Sequence, residues 1–199
     1  MSLATGVLFQ HNFLSLDHVN GSSMAPTLSP HAHETGQKDR ILIQRHMVHN
    51  GKVQRGEIVT FWKPHKPGEI SIKRIIALEG DTVYPHRGYA LDPDVVRMDR
   101  VQTWDGLPVR DPDAIRGDEL EVGKVVVPQG HMWVEGDNWR QSYDSCDFGP
   151  VSLGLLDGKA TKVWRRWWTM DDVGDGRKWE KGHVSRVVPK GDDHAKHAR

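Results

Sequence analysis

A succession of short apolar runs, each closed off by glycine, proline or aspartate, is what most limits the fold of this chain. The runs are Arg40-Ile41-Leu42-Ile43-Gln44, Glu57-Ile58-Val59-Thr60-Phe61-Trp62, Glu69 to Leu78, Thr82-Val83-Tyr84, Lys124-Val125-Val126-Val127, His131-Met132-Trp133-Val134-Glu135 and Lys159 to Trp164. They are rich in β-branched and aromatic side chains, which suit a pleated, half-buried surface. Gly51 to Gly56, Lys63 to Gly68, Glu79-Gly80-Asp81 and Pro128-Gln129-Gly130 separate them as turns. No stretch keeps a 3.6-residue apolar period over the length of an amphipathic helix. The expectation is a mostly β fold, with 124–127 and 131–135 joined as a hairpin.

The chain has 199 residues, enough for one domain of ordinary size with a smaller lobe. The expected division is a lead-in over 1–20, a main domain over 21–168 and a tail over 169–199. Residues 85–123 break the strand pattern. They hold nine acidic and five basic residues, with prolines at 85, 93, 108 and 112, and read as an acidic insertion or small lobe. The tail, rich in Gly, Asp, Lys and His, is expected to be disordered.

Charge and composition exclude some function classes. Lysine plus arginine equals aspartate plus glutamate, 27 each, so a general nucleic-acid binder is not expected. Twelve histidines are scattered without a His-x-x-x-His pair, and Cys146 is the only cysteine. Neither a structural metal site nor a cofactor is expected. No run approaches the roughly 18–20 apolar residues of a membrane helix. Leu3 to Leu16 is broken by Gln10, His11 and Asn12 and lacks the basic start of a signal peptide. As written, the chain reads as soluble or peripherally attached.

Three stretches carry groups capable of chemistry. In Gly21-Ser22-Ser23-Met24-Ala25-Pro26-Thr27-Leu28, two hydroxyls follow a glycine that permits unusual φ values and precede a proline that fixes φ. Taken alone, this octapeptide fits either a plain Ser/Thr turn or a nucleophile held outward. Ile72-Lys73-Arg74 lies in an apolar strand. Lys73 there is either on the solvent face of an edge strand or desolvated. Desolvation would lower its pKa and fit it to act as a general base for a serine nucleophile. Gly136-Asp137-Asn138, followed by Ser142-Tyr143-Asp144-Ser145, is a polar loop dense in turn formers, of the kind that carries functional groups when a sheet positions it.

Taken together, these stretches resemble the type I signal peptidases, serine–lysine endopeptidases that remove targeting segments. Ser23-Met24-Ala25-Pro26-Thr27 resembles the family's nucleophile box. Arg55-Gly56-Glu57-Ile58-Val59 resembles its Arg-Gly-Asp-Ile-Val strand, and Lys73 to Asp81 its Lys-Arg box. Gly136-Asp137-Asn138 with Ser142, Asp144 and Ser145 resembles its last box. All four stand in family order, over about residues 19–84 and 124–165. Ile76 to Asp81, Trp133 to Asp137 and Ser142 to Leu156 are most similar to the mitochondrial branch, the inner membrane protease, and there to the pattern of its subunit 2.

The resemblance implies a signal-peptidase-like antiparallel sheet. Ser23 would be the nucleophile, Lys73 the general base and Ser142 the group orienting the lysine amine. Asp144 would brace the loop, and the Ser23 N–H would serve an oxyanion hole. Two positions depart from the bacterial pattern. Gly21 stands where a serine supplies a second oxyanion donor, a task open to Ser22 or a water. Cys146 stands where an arginine pairs with the bracing aspartate; Arg140 is the substitute considered. The family's membrane helix before the nucleophile box is also missing from the twenty lead-in residues, which points to a truncated form or to attachment through a partner.

The implied activity is endopeptidase removal of N-terminal sorting segments, at the mitochondrial inner membrane facing the intermembrane space. Implied partners are precursor proteins with sorting signals, subunit 1 of the protease in a hetero-oligomer, and the inner membrane surface; no nucleic acid is expected. The alternative is a non-catalytic partner subunit that stabilises the active one. A self-cleaving repressor would need a DNA-binding domain ahead of the serine, for which about twenty residues are too few. Trp164-Arg165-Arg166-Trp167-Trp168 is expected to close the last strand or touch a membrane surface, where tryptophan and arginine are favoured.

Overall fold

The structure, a computed structural model, describes residues 14–31, 36, 38–45, 53–86, 103–104, 107–108, 124–166, 169–174 and 185–191. The lead-in before Leu14, nearly all of the expected acidic lobe, and Trp167 and Trp168 lie outside the described residues. The strands are β1 (Leu14–His18), β2 (Arg40–Gln44), β3 (Ile58–Trp62), β4 (Ile70–Leu78), β5 (Thr82–Tyr84), β6 (Thr103–Trp104), β7 (Leu107–Pro108), β8 (Val125–Val126) and β9 (His131–Glu135). They continue with β10 (Val151–Ser152), β11 (Leu156–Arg166), β12 (Thr169–Asp172) and β13 (Arg186–Val188). One short helix, α1 (Ser145–Phe148), and two 3-10 turns, Trp139–Gln141 and Leu153–Leu155, complete the described elements.

The fold is mostly β. Eight strands form one antiparallel sheet in the order β1-β2-β11-β3-β4-β9-β10, with β12 on β11. The period of two along β3 shows why these residues make a central strand. Ile58 packs with Val19, Met24, Leu28, Ile41, Ile43, Ala160 and Val163. Val59 and Phe61 belong to a second cluster with Ile75, Met132, Val134, Val151 and Leu156. β4 crosses from the second cluster to a third of Ile76, Ala77, Val83, Val127, Trp133 and Cys146. It does so at a register shift against β9 between Ile75 and Ala77, where an extra residue turns side chains to the other face.

Three features differ from the sequence expectation. The segments 124–127 and 131–135 do not pair as a hairpin. β8 joins β5, and β9 lies between β4 and β10. The Val127 N–H donates to the Asp81 carbonyl at 2.9 Å and the Gly80 N–H to the Val127 carbonyl at 2.8 Å, so the Pro128-Gln129-Gly130 turn passes the chain from a small sheet to the large one. The stretch expected to be a disordered tail contains two strands among its described residues: β12 pairs with β11, and β13 with β5. Short strands of this sort gain their order from a partner edge, which local composition does not report. The last expected strand, 159–164, is longer, running from Leu156 to Arg166.

Candidate active site

The loop after β1 is closed at its base and tied into the core. The Val19 N–H donates to the Asp39 carbonyl at 2.9 Å. The Ser29 N–H donates to the Asp39 carboxylate at 2.8 Å, and the Asp39 N–H returns to Ser29 Oγ at 3.0 Å. Arg165 on β11 reaches Asp39 at 3.2 Å and donates to the Thr27 carbonyl. Met24 and Leu28 are buried in the first cluster, a burial worth roughly 1.5–3 kcal/mol for each such side chain. With Met24 held inward, neighbouring Ser23 keeps partial exposure. Gly21, at φ 83°, takes the left-handed turn ahead of it.

Ser23 and Lys73 come together here. Lys73 Nζ lies 2.9 Å from Ser23 Oγ and donates to the Ile72 carbonyl at 2.9 Å. Lys73 is 4% exposed; it stands opposite Val59 in a central strand, which decides against the edge-strand reading. Burial pushes the Lys73 amine down to about 8, while the Asp144 charge works in the opposite direction. At that value about a tenth of the molecules carry a neutral amine at pH 7, against about one in several thousand for an ordinary lysine.

The polar loop packs onto the serine loop through its backbone. The Asn138 N–H donates to the Ser23 carbonyl at 3.0 Å, and Asn138 Nδ2 to the Ser22 carbonyl at 3.2 Å. Asp144 caps α1, accepting from the Cys146 N–H at 3.1 Å, and also accepts from the Gly136 N–H at 3.0 Å and from Ser142 Oγ. The Asp147 carboxylate reaches back to the Asp144 N–H at 2.9 Å, completing a capping box.

Several placements depart from the expectations. Ser142 gives its proton to Asp144, and the amine of Lys73 bonds to Ser23 and Ile72 instead. Ser142 is thus bonded to Asp144, whose charge is the one that favours the Lys73 ammonium. Ser22 Oγ donates to Gln141. Arg140 lies over the Trp139 ring at 4.4 Å and not against Asp144. Among the described residues no acceptor takes the Ser23 N–H.

Sequence reasoning gave no role to the ion pair beneath these loops. Arg74 grips Asp137 through Nε at 2.9 Å and Nη2 at 2.6 Å, with both side chains nearly inaccessible. Thr27 Oγ1 also donates to Asp137, and Arg74 Nη1 donates to the Gly56 carbonyl at 2.7 Å. One buried pair thus joins the serine loop, β4 and the polar loop. The signal was an arginine inside an apolar strand, since a buried charge calls for a partner; its identity is set only by the fold.

The chain matches the family described as signal peptidase, peptidase S26, over residues 1–167. It is 35% identical over 176 residues to mitochondrial inner membrane protease subunit 2 of Mus musculus, covering 87% of this chain and 81% of that protein. To the subunit 2 protein of Saccharomyces cerevisiae it is 33% identical over 171 residues, covering 84% and 78%. To mitochondrial ATP-independent inner membrane protease subunit 1a of Arabidopsis thaliana it is 35% identical over 153 residues, covering 76% and 71%.

Proposed function

The chain belongs to the signal peptidase family, peptidase S26, and we propose that it cuts its substrates through a Ser23–Lys73 dyad. It is a serine peptidase by family. The observation that carries the dyad is the 2.9 Å approach of a buried lysine amine to Ser23 Oγ.

In the reading we favour, neutral Lys73 takes the Ser23 proton as Oγ attacks the scissile carbonyl carbon. The oxyanion of the tetrahedral intermediate lies at the Ser23 N–H. The lysine ammonium then gives its proton to the leaving amine, and an acyl-enzyme remains on Ser23. Water, deprotonated by the same amine, attacks the ester and regenerates the serine. Asp144 stabilises the ammonium between these transfers, and Ser142 and Gly136 fix Asp144. Ser22 and Gly21 shape the turn that presents Ser23. No cofactor enters this cycle.

The relatives are named as subunits of mitochondrial inner membrane proteases. By that likeness, substrates are precursor proteins whose N-terminal sorting segments are removed on the intermembrane-space side of the inner membrane, and the chain works in a hetero-oligomer with a subunit 1 partner. Among the described residues no helix is long and apolar enough to cross a membrane.

The test uses the chain assembled with its partner and a precursor bearing a sorting segment, with the partner's own serine inactivated. Ser23→Ala and Lys73→Met are each expected to abolish cleavage while the circular dichroism spectrum stays unchanged. Full cleavage by either variant would sink the dyad. Absence of cleavage by the unmutated chain would favour a non-catalytic stabilising subunit.

A further inference from the structure

A second cluster of reactive side chains lies behind the polar loop. His86 follows β5, Glu135 ends β9, Cys146 sits in α1 and Ser185 precedes β13. One ligating atom from each of His86, Glu135 and Cys146 lies within 4.8 Å of the others. Cys146 Sγ is 3.7 Å from Glu135 Oε1, and His86 Nδ1 is 3.8 Å from Glu135 Oε2. Ser185 Oγ donates to Glu135 and lies 3.4 Å from His86 Nδ1. Glu135 and Cys146 are buried.

This is an unusual place for a carboxyl group. Among the described residues no lysine or arginine pairs with Glu135; the imidazole of His86 is the nearest basic group, at 3.8 Å. Burial pushes the Glu135 carboxyl up, with the Asp144 charge adding to the effect. Among the described residues the cluster holds no lysine or arginine, and a thiol stands beside its carboxyl group.

We infer that His86, Glu135 and Cys146 form a binding site for a borderline-soft divalent cation, zinc first, with the Ser185 hydroxyl at the fourth position. Imidazole nitrogen, carboxylate oxygen and thiolate sulfur are zinc's ligand set. Ligand atoms 2.0–2.3 Å from a tetrahedral metal stand roughly 3.3–3.6 Å apart, close to the 3.7 and 3.8 Å that separate Glu135 from Cys146 and His86. Trp133 Nε1 donates to Glu135 Oε1 at 2.7 Å, the kind of outer hydrogen bond that orients a metal ligand. Glu135 immediately precedes Gly136, and Cys146 lies two residues beyond Asp144. A metal here fastens both ends of the loop that holds Asp137, Asn138 and Ser142. The ligands come from three distant segments, so no short motif announces the site.

The experiment is a cobalt titration of the metal-stripped, thiol-reduced full-length chain. Cobalt bound to a thiolate gives a near-ultraviolet charge-transfer band, and Cys146 is the only thiol. The site predicts a band that saturates at one equivalent and is displaced by one equivalent of zinc. It also predicts a melting temperature raised by zinc. Cys146→Ser should lose the band and the zinc-dependent stabilisation, and His86→Ala most of the affinity. The titration of the unmutated chain decides even if a variant fails to fold. No charge-transfer band, or cobalt uptake without one (binding at scattered histidines), overturns the site, as does a melting temperature that zinc leaves unmoved.

Discussion

Lys73 Nζ sits 2.9 Å from Ser23 Oγ across fifty residues of sequence, on a lysine almost sealed from water. The same burial that lowers its basicity to about 8 also makes it costly to the fold.

The first prediction concerns pH. A base must be neutral to act, so cleavage under subsaturating substrate should rise with pH through about 8 and level off above it. A pH–rate profile of kcat/KM reads this directly. A profile flat between pH 6 and 9 would contradict Lys73 as the base.

Stability should show the reverse side of that burial. Folding lowers the Lys73 pKa from 10.5 to about 8, so below the folded value the native state bears the full penalty of holding a buried ammonium. Between the two values the unfolded chain binds more protons, and stability rises with pH. Lys73→Met, which removes this penalty, is expected to stabilise the chain at pH 7 by up to about 3 kcal/mol. The advantage should shrink as pH climbs past 8. Urea midpoints of both proteins at pH 7 and pH 10 test it.

Breaking the Arg74–Asp137 pair should be damaging. Arg74→Met removes the guanidinium from buried Asp137, and Asp137→Asn removes the carboxylate from buried Arg74, each at a cost of about 3–5 kcal/mol. Because this pair links the serine loop to the polar loop, catalysis should fall along with stability. Denaturant unfolding and activity, measured on both variants and on the double variant, separate the pair from its members.

Gly136 should tolerate no side chain. A methyl group there would stand 2.5 Å from the Ser23 carbonyl oxygen and closer still to Ser142. The first contact is with backbone, which cannot rotate away. Gly136→Ala is expected to push apart the two loops that hold Ser23 and Asp144, with cleavage falling much further than the melting temperature. Near-normal cleavage would show that these loops do not need their present spacing.

Much of the framework was legible in the residues. The β-branched runs and their Gly/Pro breaks located β2, β3, β4, β5 and β9, because local composition and pleat periodicity act over a few neighbours. The four boxes in order identified the family, and that picked out Ser23 and Lys73 ahead of Ser22 and the other lysines.

Pairing was not legible. Nothing local in Val125-Val126 says that β8 joins β5 instead of β9, and nothing in Arg186-Val187-Val188 says that an edge of β5 will order it. Hydrogen-bond partners of the site were hidden for the same reason. Local residue pattern was enough to place β2, β3, β4, β5 and β9 and to single out the residues that could react, but not to place β12 or β13. Long-range packing put Lys73 in a central strand, turned Ser142 to Asp144 and brought Arg74 to Asp137. Burial and charge pairing depend on what distant segments bring to the same few ångströms, and one strand's sequence does not contain that.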